Sequence, residues 1–169
     1  AQAAQAGIQT VVITGDYPNT ASFVLHEIGI SLQPHEMMTG EQLEKITPSE
    51  LAGQIQHVRL FARTTPDQKL RIVQALQANN QVVAMMGDGV NDAPAIHTAD
   101  IGIVVNDASD VSHESADMVL LDSNFSTIIA AIEEGRAIFD NIRKIILYLL
   151  GTAFAEIILV VGSIALGLP

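Results

Sequence analysis

Gln81-Val82-Val83-Ala84-Met85-Met86-Gly87-Asp88-Gly89-Val90-Asn91-Asp92-Ala93-Pro94-Ala95 decides how this chain folds. The run Gln81 to Met85 is short and mostly apolar, the pattern of a buried strand. Two carboxylates and a carboxamide then fall within five residues, on a turn that Gly87 and Gly89 make sharp. A strand end that crowds acids against such a turn suits a hard divalent cation. Mg²⁺ takes oxygen ligands and is usually held by one or two carboxylates plus a phosphate. The same residues also read as the start of a helix, with Asn91 or Asp92 as N-cap before Ala93-Pro94-Ala95. A cap alone does not explain why Asp88 lies between two glycines.

Working outward, Thr10-Val11-Val12-Ile13-Thr14 is a β-branched run ended by Gly15-Asp16, a strand followed by a loop. Ala21, Val24, Leu25 and Ile28 have helical spacing that stops at Gly29. Thr39-Gly40-Glu41-Gln42 reads as a helix start. Thr47-Pro48-Ser49-Glu50 is a stronger one, with Thr47 as N-cap, Pro48 at N1 and Glu50 at N3. Val58-Arg59-Leu60-Phe61-Ala62 is another strand, and Pro66 opens a helix with Leu70, Val73 and Leu76 on its apolar face. Ile101 to Val105 and Met118 to Leu121 complete the strands. Apolar strands separated by helices predict an α/β fold with a parallel sheet covered on both faces. Polar residues gather just after strands (Asp16, Arg63, Asp88), where open α/β sheets place their ligands.

The chain has 169 residues, enough for one sizeable core, and no cysteine, which excludes disulfides and thiolate metal sites. A net charge of −11 argues against nucleic acid and anionic lipid surfaces as partners. The Ala/Gln-rich start, Ala1 to Gly7, has neither an initiator Met nor a signal-peptide pattern, and reads as the end of a helix entered from upstream in a longer chain.

Hydrophobicity concentrates at the other end. Residues 125–144 are amphipathic, with charges at Glu133, Glu134, Arg136, Asp140, Arg143 and Lys144, whereas from Ile145 to Leu168 the only charge is Glu156. About twenty apolar residues span a bilayer core of ~30 Å, so this run predicts a transmembrane helix rather than a core helix. Arg143-Lys144 at its entrance favours that end facing the cytoplasm. No break separates the two stretches, so one helix is expected to run from the polar unit into the membrane. A carboxylate inside such a span is expensive, which makes Glu156 a functional candidate.

Three short elements therefore follow three strands. Thr14-Gly15-Asp16 offers a hydroxyl and a backbone N–H to a phosphate oxygen, although the tripeptide is also an ordinary turn. Arg63-Thr64-Thr65-Pro66-Asp67-Gln68-Lys69 puts Lys69 in the first turn of a helix, a poor place for a cation unless it joins the helix N–H groups in holding an anion. The acidic loop is the third.

In this order the three elements resemble the motifs of the haloacid dehalogenase superfamily and, more narrowly, the phosphorylation domain of P-type cation-transporting ATPases, with calcium-type pumps nearest. Met86 to Ala95 is similar to that family's hinge motif almost letter for letter. Asn124-Phe125-Ser126-Thr127-Ile128 and Glu133 to Asn141 match the segment leading into the family's fifth transmembrane helix. The resemblance implies a Rossmann-like parallel sheet flanked by helices, with residues 1–124 as part of the phosphorylation domain, 125–144 as a stalk helix and 145–168 as the membrane helix. It further implies Mg²⁺ and ATP as cofactors. Asp88 would ligate Mg²⁺, Thr14 and Gly15 would hold oxygens of the transferring phosphoryl group, and Lys69 would neutralise its developing charge. Asn91 would contact the phosphate, Asp92 would orient Lys69, and Asp16 and Arg63 would face the nucleotide. Glu156 would be a ligand of the transported cation. The implied partners are the nucleotide-binding and actuator domains, the other membrane helices, the bilayer and the cation. The implied location is the plasma membrane, with the phosphorylation domain cytoplasmic.

Two departures matter. The family's nucleophile lies in an Asp-Lys-Thr-Gly motif that these 169 residues do not contain, so the chain alone is expected to be inactive. Calcium pumps usually carry asparagine where Ala153 stands, which removes one oxygen ligand; calcium stays first, with monovalent cations or protons behind it. The five histidines show no ligand spacing. The alternatives are a phosphatase of the same superfamily with a C-terminal anchor or core helix, and a non-enzymatic regulatory fragment.

Overall fold

The structure is a computed structural model, and it describes residues 2–122 and 124–167. The chain divides into two compact units, Ala1–Asn124 and Phe125–Pro169.

The first unit is α/β, built on two three-stranded sheets. After a short helix, α1 (Gln2–Gln5), come β1 (Val12–Ile13), α2 (Pro18–Glu27), β2 (Met37–Thr39), α3 (Gly40–Lys45), α4 (Pro48–Gln54), β3 (Leu60–Ala62) and α5 (Pro66–Ala78). The first sheet has the order β1-β3-β2, all parallel, with Ile13 beside Phe61 and Met38 beside Phe61 on the other side. The second half contains β4 (Ala84–Gly87), α6 (Ala93–Thr98), β5 (Ile101–Val105), α7 (Asp110–Glu114) and β6 (Met118–Leu120). Its sheet has the order β4-β5-β6, also parallel, with Met86 beside Ile103.

Strand β3 shows why the apolar runs are continuous. Successive side chains point to opposite faces. Leu60 and Ala62 pack with Ala21 and Leu25 of α2, while Phe61 packs with Leu43, Leu51, Ile55 and Ile72 on the other side. Burying a side chain of this size contributes about 1.5–3 kcal/mol. Arg71 of α5 ties this layer together, donating to the carbonyls of Leu43 and Ile46 at the end of α3. The second sheet buries Val83, Met85 and Val104 against Val73 of α5 and Ala95 and Ile96 of α6. Helix α5 thus presents Ile72 to one core and Val73 to the other.

The sheet differs from the expectation in three respects. The parallel strands form two sheets, because β1 and β4 do not pair with each other. Met37–Thr39 is a strand that the sequence hides, since Met-Met-Thr is short and lacks β-branched apolar residues. The strand expected over Gln81 to Met85 runs instead from Ala84 to Gly87. Val82 is exposed, and the N–H of Val83 bonds the Asp100 carboxylate at 2.8 Å rather than a neighbouring strand.

The second unit is one unbroken helix, α8 (Phe125–Leu166), of 42 residues and so about 63 Å long. Over residues 126–166 this helix is long and apolar enough to cross a membrane, and residues 145–161 are exposed throughout.

Candidate functional site

The three elements named from the sequence are joined by contacts in the first unit. Beyond β1, Thr14 donates its hydroxyl to the Asp16 carboxylate at 3.1 Å and accepts the Asp16 N–H at 3.1 Å. This small turn closes on itself and leaves the exposed Gly15 N–H unengaged among the described residues. The loop beyond β3 is laced to it. The N–H of Arg63 bonds the carbonyl of Asp16, and both the N–H and the hydroxyl of Thr64 bond the carbonyl of Thr14, at 3.0–3.1 Å. Arg63 adopts a left-handed backbone with φ 57, and its guanidinium lies 4.5 Å from the centre of the Tyr17 ring. Asp16 and Arg63 are thus joined through their backbones.

Thr65 caps α5 through a reciprocal pair with Gln68, and Lys69 follows one residue later. Its ammonium reaches across to the second sheet and meets the Asp92 carboxylate at 2.5 Å, with side-chain exposures of 14% and 11%. This ion pair joins the loops of the two sheets. An almost buried lysine held by one carboxylate presents fixed positive charge to an incoming anion.

Asp92 is the N-cap of α6, as one reading of the sequence expected, but its side chain makes no cap bond. Its carboxylate lies against Gly87, where an added Cβ would come within 2.6 Å of the Asp92 Cβ. Gly87 therefore makes room for the acid. The helix N–H groups are served differently: the residues Val90–Asp92 form a 3₁₀ turn, the Ala93 N–H bonds the carbonyl of Val90, and Pro94 has no N–H to satisfy.

Asp88 lies immediately past β4, exposed, and its carboxylate has no hydrogen bond or ion pair among the described residues. No group of three His, Asp or Glu side chains there forms a ready metal cage. One unengaged carboxylate at a strand end fits Mg²⁺, which keeps several waters and takes its remaining ligands from substrate phosphates. Asn91 is exposed beside it, and its side chain has no hydrogen bond among the described residues. Glu156 belongs to the helical unit, on one face with Ala153 and Val160.

Three contributors escaped the sequence reading. Gly40 lets α3 approach the Arg63 loop, since a Cβ there would stand 2.3 Å from the Arg63 carbonyl oxygen. Thr65-Pro66-Asp67-Gln68 is a capping box, and that spacing was legible. Ser112, fully buried on α7, bonds the carbonyl of Gly89, and no local pattern announces it. A cleft of about 660 Å³ against β2 and α3, lined in part by His35, Met38 and Lys45, contains none of the candidate residues.

A family model described as haloacid dehalogenase-like hydrolase matches residues 1–100, and a second with the same description matches residues 69–132. A calcium-transporting ATPase 1 of Bacillus cereus is 48% identical over 164 residues, covering 96% of this chain and 18% of the relative. A calcium-transporting ATPase 1 of Saccharomyces cerevisiae is 45% identical over 171 residues, covering 99% and 18%. The solved structure of a zinc-transporting PIB-type ATPase in its E2.Pi state superposes with TM-score 0.70 at 30% identity, covering 98% of this chain and 22% of that one. The chain thus spans about a fifth of the length of these relatives. It belongs to the haloacid dehalogenase-like hydrolase family, as a piece of the phosphorylation domain of the P-type ATPase kind with the apolar helix that follows it.

Proposed function

We propose that this chain supplies one wall of the phosphoryl-transfer site, and the fifth membrane helix, of an ATP-driven cation pump whose cargo is calcium. The observation that carries the reading is the Lys69–Asp92 pair, which brings the loops of both sheets to one place beside an unengaged Asp88. Identity of 48% and 45% to two calcium-transporting ATPases supports the choice of ion.

In this reading phosphoryl transfer relies on positioning and charge stabilisation. The Gly15 N–H and, once it turns from Asp16, the Thr14 hydroxyl hold equatorial oxygens of the phosphoryl group. Lys69 neutralises charge that develops there, and Asp92 fixes its ammonium. Asn91 contacts the phosphate, while Asp16 and Arg63 hold the ribose and phosphates of ATP. Asp88 is the residue that would hold Mg²⁺, and the metal supplies charge neutralisation of the phosphate oxygens. The nucleophilic aspartate comes from outside these 169 residues, because the chain has no Asp-Lys-Thr-Gly. Residues 125–144 form the stalk and 145–168 the span, Glu156 is a cation ligand within it, and the pump lies in the plasma membrane with the phosphorylation domain cytoplasmic.

The test is ATP-driven uptake by vesicles carrying the full-length pump. Calcium-stimulated phosphorylation and uptake are expected, with both lost in Asp88→Asn and uptake lost in Glu156→Gln. Uptake of another cation with indifference to calcium would overturn the ion. Phosphorylation of the 169-residue chain alone by ATP would overturn the assignment of the nucleophile.

A further inference from the structure

We propose that Ser112 is a positioning residue that fixes the loop bearing Asp88, through the carbonyl of Gly89. The inference rests on the reading of Asp88 as the Mg²⁺-holding carboxylate.

Ser112 is buried at 0% exposure, where an alanine would fill most of the same volume. Its hydroxyl carries one proton, and that proton goes to the Gly89 carbonyl at 2.9 Å. Ser109 Oγ, 2.8 Å away, therefore donates to Ser112, and it also accepts the Ser112 N–H at 3.3 Å. The backbone N–H of Ser109 bonds the carbonyl of Asp88 at 3.2 Å. Two successive carbonyls of the acidic loop, those of Asp88 and Gly89, are thus held by two serines at the start of α7.

The far end of the loop is held independently. Asp92 is fixed by Lys69, and its N–H bonds the carbonyl of Gly89 at 2.9 Å. The Gly89 carbonyl is therefore the point on which both restraints converge. Between these anchors the polar side chains of Asp88 and Asn91 have no hydrogen bond or ion pair among the described residues. A fixed backbone with a free carboxylate is what a metal ligand needs, because disorder in the loop must otherwise be removed by the ion on binding. Glycine at 89 makes the restraint necessary: with no side chain of its own to limit it, that peptide would sample many conformations. Ser115 is the internal contrast. At the end of α7 its hydroxyl bonds the carbonyl of Val111 at 2.8 Å and makes no hydrogen bond to the loop among the described residues.

The experiment uses the full-length pump. In the metal-free protein, amide exchange at Ser109 and Asp92, whose N–H groups bond the carbonyls of Asp88 and Gly89, is expected to rise about tenfold in Ser112→Ala, as for loss of one hydrogen bond that limits local opening. Mg²⁺ binding followed by calorimetry should weaken about tenfold, the low end of the effect of losing an outer partner of a metal ligand. Ser115→Ala should change neither. Ser112→Cys keeps the shape with a weaker donor and should fall between, and it carries the readout if the alanine variant does not fold. Exchange and Mg²⁺ affinity within twofold of wild type in Ser112→Ala, or an equal shift in Ser115→Ala, would overturn the proposal. Asp88→Asn separates the two readings: unchanged Mg²⁺ binding there defeats the metal assignment, while the exchange data still judge the serine clamp.

Discussion

Three helices that pack on the first sheet begin with one device. Thr39, Thr47 and Thr65 each accept the N–H of the third helical residue, and Gln42, Glu50 and Gln68 return a bond to the cap backbone. After β4, in the second sheet, the cap position is Asp92, and its carboxylate serves Lys69 instead of its own helix. A side-chain cap contributes about 1 kcal/mol. The caps of α3, α4 and α5 secure local structure, whereas the acid at the cap position of α6 is committed to Lys69. The difference teaches where substitutions will injure chemistry and where they will injure only folding.

The contrast is broken most severely at Asp92. Asp92→Asn keeps the size of the side chain but removes the charge that fixes Lys69, and phosphorylation of the full-length pump should fall by about 10²–10³. The Asp92 side chain makes no cap bond to α6, so no cap is lost and unfolding should shift far less than activity does. An equal loss of stability and activity would show that Asp92 is a structural residue like Thr47. Next is Gly87→Ala. Its methyl would sit 2.8 Å from the Asp92 Oδ2 and push the acid from Lys69. A loss of about tenfold is expected, and it should vanish in the Asp92→Asn background, since both changes act on one contact.

How legible each half was follows from the same contrast. Capping boxes are written in four consecutive residues, so the starts at Thr39 and Thr47 were read correctly from sequence. The parallel α/β class was equally readable, because β3 and β5 are apolar on both faces. The partner of Asp92 is 23 residues away, and no local pattern distinguishes a carboxylate that caps from one that reaches Lys69; only the resemblance supplied that role. Ser112 and Gly40 are harder still. What they do depends on the backbone of Gly89 and Arg63 lying within reach, which is a property of the fold and not of their neighbours in sequence.

Gly40→Ala sharpens the comparison from the other side. The added methyl would meet the Arg63 carbonyl oxygen at 2.3 Å and Gln68 Oε1 at 2.5 Å. The carbonyl is backbone and cannot swing away, so the loop must shift. A destabilisation of about 1–3 kcal/mol is expected, as for other overpacked positions. The readout is denaturant unfolding. Because Arg63 moves with the loop, the apparent affinity for ATP should weaken as well, whereas Mg²⁺ affinity, set on the other sheet, should not.

The smallest effect is expected at Glu50, where only local structure is at stake. The N–H of Thr47 and then its hydroxyl donate to this carboxylate and hold its pKa below the ordinary 4.5. A lowered value means that the charged form is favoured in the folded chain, so the contribution is present above pH 4.5 and is lost as pH falls through the lowered value. Glu50→Ala should therefore unfold slightly more easily than wild type at pH 7, and the difference should close in acid. Glu41, held low by Lys45 at 2.6 Å on the exposed face of α3, titrates in the same window and could imitate it. Salt separates the two. The Glu41–Lys45 pair is between charges and is screened at 1 M salt, while the donors to Glu50 are neutral and are not. A Glu50→Ala difference that survives 1 M salt, closes in acid and leaves phosphorylation untouched would place the cap of α4 wholly on the structural side of the contrast. Any loss of phosphorylation would mean that the first sheet's caps also serve the site.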